Sequence, residues 1–415
     1  MILIKGGRVI DPLSKKDEVL DILIDRENIV SIEKEIEIKP EYEFIDAKGM
    51  VVAPGFIDVH VHFRDPGFPE KEDILSGAKS AARGGYTTVV AMANTKPIVD
   101  NVETLKYILD KAKDADIEVL QVATITKGLK GEELTDFEGL LKAGAAGFSD
   151  DGIPIMNAGI LKEAMIQAKK LNTVISLHEE DPNLIDKNGV NKYSPSVAED
   201  TMIARDSMIA LHTGAKLNVQ HLSSGESIEF LRWIKTKCDN IYAEVTPHHF
   251  SLTEDILESK GTLGKMNPPL RTKDDLDEII KGLKDGTIDM IATDHAPHTK
   301  AEKEKELFSA PSGIIGLETA LGLAITNLYS PGHLSLMEII EKLTVNPAKL
   351  YNIDRGVIRE HHRADLVIFD VDEKWIVNDF ASKSNNSPFI GEELKGKVKY
   401  TISNGNIAYR DFFNK

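Results

Sequence analysis

A single cysteine, Cys238, in 415 residues excludes an intramolecular disulfide framework and any cysteine-rich zinc site. A metal in this chain would therefore be held by histidine and carboxylate. Basic residues are also scarce relative to acids: 50 Lys and Arg stand against 67 Asp and Glu, a formal net charge of −17. No positive excess is available to neutralise phosphates, which argues against nucleic-acid binding. For the same reason an anionic small molecule would need its own local Arg or Lys. No run of about 18 apolar residues is present to span a bilayer, and the N-terminus lacks a basic segment followed by an apolar one. These absences lead to the expectation of a soluble, cytosolic protein with no membrane partner. Cys238 lies in a helix-to-strand connection and reads as inert.

What is present points to a folded enzyme-sized chain. At 41% hydrophobic and 28% charged, 415 residues can bury a large core and exceed the usual single-domain size, so one large domain and a smaller one are expected. Eight short apolar runs rich in β-branched residues recur, at 50–62, 86–94, 117–126, 145–150, 173–178, 216–221, 241–247 and 287–294. Between them lie charged segments of helical period, among them 70–83, 102–113, 158–170, 198–213 and 273–284. Ser196 and Glu199 are spaced as a capping box opening the helix at 198–213. Eight alternations of strand and helix imply parallel strands joined by crossover helices, and that number predicts an α/β fold of the closed (β/α)8, TIM-type barrel class.

The two ends of the chain read differently. Residues 2–10, 18–24 and 28–33 alternate like antiparallel strands, as do 365–370, 398–403 and 406–409, with Asn404-Gly405 a strong hairpin turn. Neither end has enough strands to cover a core alone. Residues 1–53 and 350–415 are therefore expected to combine into one small β domain beside a catalytic barrel spanning 54–349.

Candidate metal ligands fall at one end of that barrel. His60 and His62 are two apart on a strand, so they share a face and can offer two imidazoles to one cation. Asp151 follows the fourth run, while His178, His221 and Asp294 end the fifth, sixth and eighth. All six lie at carboxyl ends of strands, where barrel enzymes build their active sites. His248 and His249, after the seventh run, read as structural or supporting residues. The segment 299–313 is long and charged and follows Asp294 directly; it reads as either a solvated loop or a lid.

These motifs resemble the amidohydrolase superfamily, and within it the class I dihydroorotases, over nearly the whole chain. The stretches that carry the resemblance are Asp58-Val-His-Val-His-Phe-Arg-Asp-Pro-Gly67, Asn94-Thr-Lys-Pro97, Phe148-Ser-Asp-Asp-Gly152, Asn267-Pro-Pro-Leu270 and Ala292-Thr-Asp-His-Ala-Pro-His298. The segment Ala364-Asp365-Leu366-Val367 resembles the family's return into the β domain. The resemblance implies His60, His62, His178 and His221 as zinc ligands and Asp294 as ligand and catalytic acid/base. It further implies Arg64, Asn94, Asn267 and His298 as substrate contacts. By residue type alone, Arg64 could instead pair internally with Asp65 or Asp73, and Asn94 and Asn267 could be turn residues beside proline.

Two departures from the family pattern stand out. Many relatives place a carboxylated lysine at the end of strand four, yet 145–150 contains no lysine; Asp151 is the available substitute, with one or two zinc ions both open. Ala93 also stands where the family usually has proline. The implied activity is dihydroorotase: zinc lowers the pKa of bound water to about 7, the resulting hydroxide attacks a ring amide carbonyl, and Asp294 shuttles the proton. The substrates would be L-dihydroorotate and N-carbamoyl-L-aspartate, in pyrimidine synthesis, with Arg64 gripping a carboxylate. A homodimer and an association with aspartate transcarbamoylase are compatible with the resemblance. Allantoinase or hydantoinase specificity would keep the metal site but usually carries the bridging lysine, whereas an inactive scaffold would have eroded ligands.

Overall fold

The computed structural model describes residues 1–185 and 194–411. The chain begins with β1 (Ile2–Asp11), β2 (Lys16–Asp25), β3 (Asn28–Glu33), β4 (Glu43–Asp46) and β5 (Val51–Pro54). It continues into the strands β6 (Phe56–Val61), β7 (Tyr86–Ala91), β8 (Glu118–Gln121), β9 (Phe148–Ser149), β10 (Val174–Leu177), β11 (Lys216–Val219), β12 (Ile241–Val245) and β13 (Met290–Ile291). It ends with β14 (Leu366–Ile376), β15 (Glu393–Ser403) and β16 (Asn406–Arg410).

Every residue of β6, β7, β10 and β12 is buried, which is why these strands read as largely apolar runs, interrupted by Asp58, His60 and Glu244: crossover helices cover one face and the barrel interior the other. Parallel ladders join β6 to β7 and β8, and β9 through β13. Two isolated parallel bridges close the ring, Ala123 to Phe148 and Val61 to His295. Strands β9 and β13 are only two residues long, shorter than the apolar runs around them. Beyond their carboxyl ends Asp151 and Asp294 turn into the barrel mouth, Asp294 with φ at 47°, while the Asp150 carboxylate accepts from the backbone N–H groups of Ile125 (2.7 Å) and Thr126 (3.1 Å).

Helices follow the sequence periodicity closely, with two local exceptions. The helix expected from 70 begins at Ile74, because Asp73 accepts from the Ser76 backbone N–H as its N-cap. Ser196 precedes Val197–Thr213 but makes no side-chain cap, so the Ser196/Glu199 capping box does not form. The Glu199 carboxylate instead accepts from the backbone N–H groups of Ser223 (2.9 Å) and Ser224 (3.1 Å), at the start of the helix Gly225–Ile234. Those buried donors have no helical partner of their own, and satisfying them outweighs a solvent-facing cap.

Both chain ends enter one eight-stranded sheet in the order β16-β15-β14-β5-β1-β2-β3, with β4 paired to β1. The two faces alternate as a period of two requires. Val52, Leu366 and Ile368 pack with Ile4, Ile22 and Ile45 in the sheet's own core, while Val51, Ala53, Val367 and Phe369 join the barrel core. The turn Asn404-Gly405 has positive φ at both residues, 50° and 74°, and a Cβ at Gly405 would collide with the carbonyl of Arg26, so only glycine fits there. Among the described residues no helix is long and apolar enough to cross a membrane.

Candidate metal centre

Six side chains from five strand ends converge in the barrel mouth. His60 and His62 lie on and just after β6, Asp151 follows β9, and His178, His221 and Asp294 follow β10, β11 and β13. All six are buried. Potential ligand atoms of His60, His62 and Asp151 lie within 4.8 Å of one another, and so do those of Asp151, His178 and His221. Asp151 belongs to both groups. Asp294 Oδ1 is 3.0 Å from His62 Nε2 and 3.5 Å from His60 Nε2. His221, Asp294 and Arg64 all take positive φ, at 34°, 47° and 57°, a backbone cost that buys inward aim at a functional site.

The donor set suits a cation. His60 Nε2 is buried without a hydrogen-bond partner and faces Asp151 at 3.4 Å and Asp294 at 3.5 Å, while its Nδ1 sits 2.6 Å from Glu244. His62 Nδ1 is 3.0 Å from Asn94 Oδ1 of the side-chain amide, and Asn94 Nδ2 donates to Asp151 Oδ2 at 3.1 Å. Burial alone would raise the Asp151 carboxyl, but His60, His62 and His178 hold it well below the usual range. Burial together with His178 and His60 pushes His221 well down, which favours the neutral imidazole that a metal ligand needs. Burial would also lower His60, yet Asp151, Glu244 and Asp294 drive it well above its ordinary value. The three carboxylates around His60 thus call for positive charge at this point, which a bound cation would supply.

The expected substrate contacts surround the same cluster. Asn94 bridges His62 and Asp151, and Asn267 Nδ2 is 3.3 Å from His178 Nε2, so neither is merely a turn residue. His298 Nε2 donates to the Ser312 carbonyl at 2.9 Å, leaving Nδ1 as an acceptor, and burial lowers the ring to about 3. Arg64 donates from Nε to the Pro297 carbonyl at 3.3 Å and forms no ion pair among the described residues. Its two internal candidates are taken: Asp65 pairs with Lys111 at 2.9 Å, and Asp73 with Lys383. His249 is structural, as expected, held between the Thr246 hydroxyl (2.7 Å) and the Pro268 carbonyl (3.1 Å).

Four contributors escaped the sequence reading: Glu244, Asn386, Lys265 and Lys303. Glu244 is a fully buried acid in the otherwise apolar strand Ile241–Val245, and that misfit was the available signal. Asn386, nearly 90 residues beyond His298, accepts from its backbone N–H at 3.0 Å and donates to the Ala296 and Gly313 carbonyls. Nothing local marks it. The segment 299–313 is tied down by two buried lysines: Lys265 Nζ donates to the Leu307 and Ala310 carbonyls at 2.8 and 2.7 Å, and Lys303 Nζ to Pro311 and Gly313 at 2.9 and 3.2 Å.

Known proteins can now be set beside this geometry. The Dihydro-orotase-like family matches over residues 49–227. Dihydroorotases of Clostridioides difficile and Clostridium acetobutylicum are each 57% identical, over 99% of this chain and 100% of the relative; that of Lactococcus lactis subsp. lactis is 55% identical, over 99% of each. The chain belongs to the dihydroorotase family. It is accordingly an enzyme, a hydrolase of a cyclic amide. Among solved structures, an L-hydantoinase (dihydropyrimidinase) from Arthrobacter aurescens superposes with a TM-score of 0.89 at 25% identity, covering 99% of this chain and 96% of that one. A D-hydantoinase from Thermus sp. gives 0.87 at 26%, with the same coverage. The barrel with its appended β domain is thus shared across cyclic amidohydrolases, and dihydroorotase family membership rests on sequence.

Proposed function

We propose that this enzyme is a zinc-dependent dihydroorotase that interconverts L-dihydroorotate plus water with N-carbamoyl-L-aspartate, in de novo pyrimidine (UMP) synthesis. The observation that carries the substrate is Arg64: a half-buried guanidinium beside the histidine and aspartate cluster, without an ion pair among the described residues, in a chain of net charge −17. A free fork of donors in so negative a protein suits a substrate carboxylate.

Imidazole and carboxylate ligands in a closed, buried set fit zinc. His60, His62 and Asp294 would hold one ion and His178 and His221 a second, with Asp151 shared between them, consistent with its place in both groups. Bound zinc supplies a Lewis acid and lowers the pKa of a coordinated water to about 7. The rest falls to the chain. Water adds across the ring amide, its oxygen to the carbonyl carbon and a proton to the departing nitrogen. Asp294 takes that proton and returns it to the nitrogen as the C–N bond breaks. Arg64 fixes the carboxylate, Asn94 and Asn267 orient the ring from opposite sides of the cluster, and the His298 Nδ1 lone pair accepts a ring N–H. The single thiol and this chemistry suit a cytosolic enzyme.

A hydantoinase reading is favoured by the structural neighbours, but 145–150 holds no lysine to bridge two ions, Asp151 is the available substitute, and Arg64 would stand idle over a neutral ring. Elemental analysis of metal per chain, run with a dihydroorotate hydrolysis assay, tests the proposal. Two zinc per chain are expected, falling toward one in Asp151→Ala. Turnover by metal-free protein would overturn it, and one ion per chain unaltered by Asp151→Ala would leave a mononuclear site.

A further inference from the structure

Glu244 is completely buried, and among the described residues no lysine or arginine pairs with it. A carboxylate in that position is retained only if its oxygens are used. They are. Oε1 lies 2.6 Å from His60 Nδ1 and 3.4 Å from the donating backbone N–H of His221, and Oε2 accepts from Asn218 Nδ2 at 3.0 Å. Asn218 in turn reaches the Ser176 hydroxyl at 3.3 Å, and Ser176 reaches the Tyr351 hydroxyl at 3.1 Å. This buried chain crosses the barrel interior from the helix Val345–Tyr351 through β10, β11 and β12 to His60 on β6.

We infer that Glu244 is a positioning residue for the metal centre: by accepting from His60 Nδ1–H it fixes that ring's tautomer and aims the Nε2 lone pair at the site shared with His62 and Asp151. Glu244 already accepts from the His221 backbone N–H and from Asn218 Nδ2, and its 2.6 Å contact to His60 Nδ1 is shorter than the 3.2 Å from the Gln220 amide to the same atom, so the proton sits on Nδ1 and the lone pair on Nε2, the atom left without a hydrogen bond among Asp151 and Asp294. The His60 contact is the shortest that a candidate histidine makes to a carboxylate outside the ligand set: His178 Nε2 lies 3.6 Å from Glu180 Oε2. His62 leans on the neutral Asn94 amide, and His178 Nδ1 faces His221 Nε2 at 2.9 Å. Loss of the Glu244 contact should therefore fall on the ion that His60 helps hold, and not on the one held by His178 and His221.

The inference rests on the metal-centre reading above, and the two can fail separately. Metal-free protein is titrated with Zn2+ and with Co2+ against a chelator of known affinity, for wild type, Glu244→Gln and Asn218→Leu. Glutamine keeps the size and one acceptor but removes the charge; leucine at 218 leaves the carboxylate in place without its clamp. Glu244→Gln should weaken one of the two ions about 10- to 100-fold and leave the other within about twofold, with the thermal midpoint of the metal-free protein unchanged. Asn218→Leu should weaken the same ion by a smaller factor. Failure of wild type to bind either metal would sink the metal-centre reading itself. Wild-type binding with unaltered affinities in both variants would overturn the role of Glu244 alone, as would equal weakening of both ions with loss of metal-free stability, the mark of a merely structural group.

Discussion

Replacing Arg64 by methionine keeps the length and much of the apolar stem but deletes the one guanidinium at the barrel mouth that has no ion-pair partner among the described residues. Hydrogen bonds to charged groups contribute about 1.5–3 kcal/mol each, so a two-pronged grip on a carboxylate is worth roughly 3–6 kcal/mol. The lower half of that range applies here, because burial disfavours the arginine charge and Asp294, Asp151 and Glu302 already offset part of that before substrate arrives. About 4 kcal/mol corresponds to roughly 10³ in kcat/KM. For a neutral ring such as hydantoin the same guanidinium must be covered without a partner, so wild type should favour dihydroorotate by at least about 10³, and Arg64→Met should erase most of that preference. Steady-state kcat/KM for both rings, in both proteins, measures the difference. Comparable turnover of the neutral ring by wild type, or a preference that survives Arg64→Met, would refute the assignment of Arg64 to the carboxylate.

Asp294→Asn keeps shape and a ligand oxygen but cannot take a proton, so kcat should fall at least about 10²-fold with circular dichroism unchanged; near-normal kcat would remove Asp294 from proton transfer. Burial pushes His249 down to about 4, so the unfolded chain binds the extra proton between about pH 6.5 and 4, and stability from this group is complete above that window and lost as pH falls through it. At about 1.36 kcal/mol per pH unit the loss approaches 3 kcal/mol, so the stability deficit of His249→Gln relative to wild type should shrink by about that much from pH 7.5 to pH 4 in denaturant melts. A deficit independent of pH would contradict a buried neutral ring. Hydrogen exchange with and without a substrate analogue should show 307–313 equally protected, because Lys265 and Lys303 already tie its carbonyls; ligand-dependent protection there would restore the lid reading.

The sequence by itself determined the barrel, because buried parallel strands must be apolar on both faces and crossover helices must be amphipathic, and both periods are written in the residues. It gathered the candidate ligands for a related reason: His60 and His62, spaced by two, can only share a strand face, and the remaining candidates fall at strand ends that a closed barrel brings to one rim. The pairing of the two chain ends also followed from neither being able to cover a core alone. Local rules misled where a distant partner offered more. Glu199, placed as for a cap, turns inward because the buried amides of Ser223 and Ser224 need an acceptor. Only tertiary structure could decide that Asp151 stands in both ligand groups, that Asp65 and Asp73 leave Arg64 free by pairing elsewhere, and that Glu244 reaches across the barrel to His60. Each of those facts is a distance between side chains on different strands, and strand order and register around a closed ring set such distances, whereas sequence spacing does not.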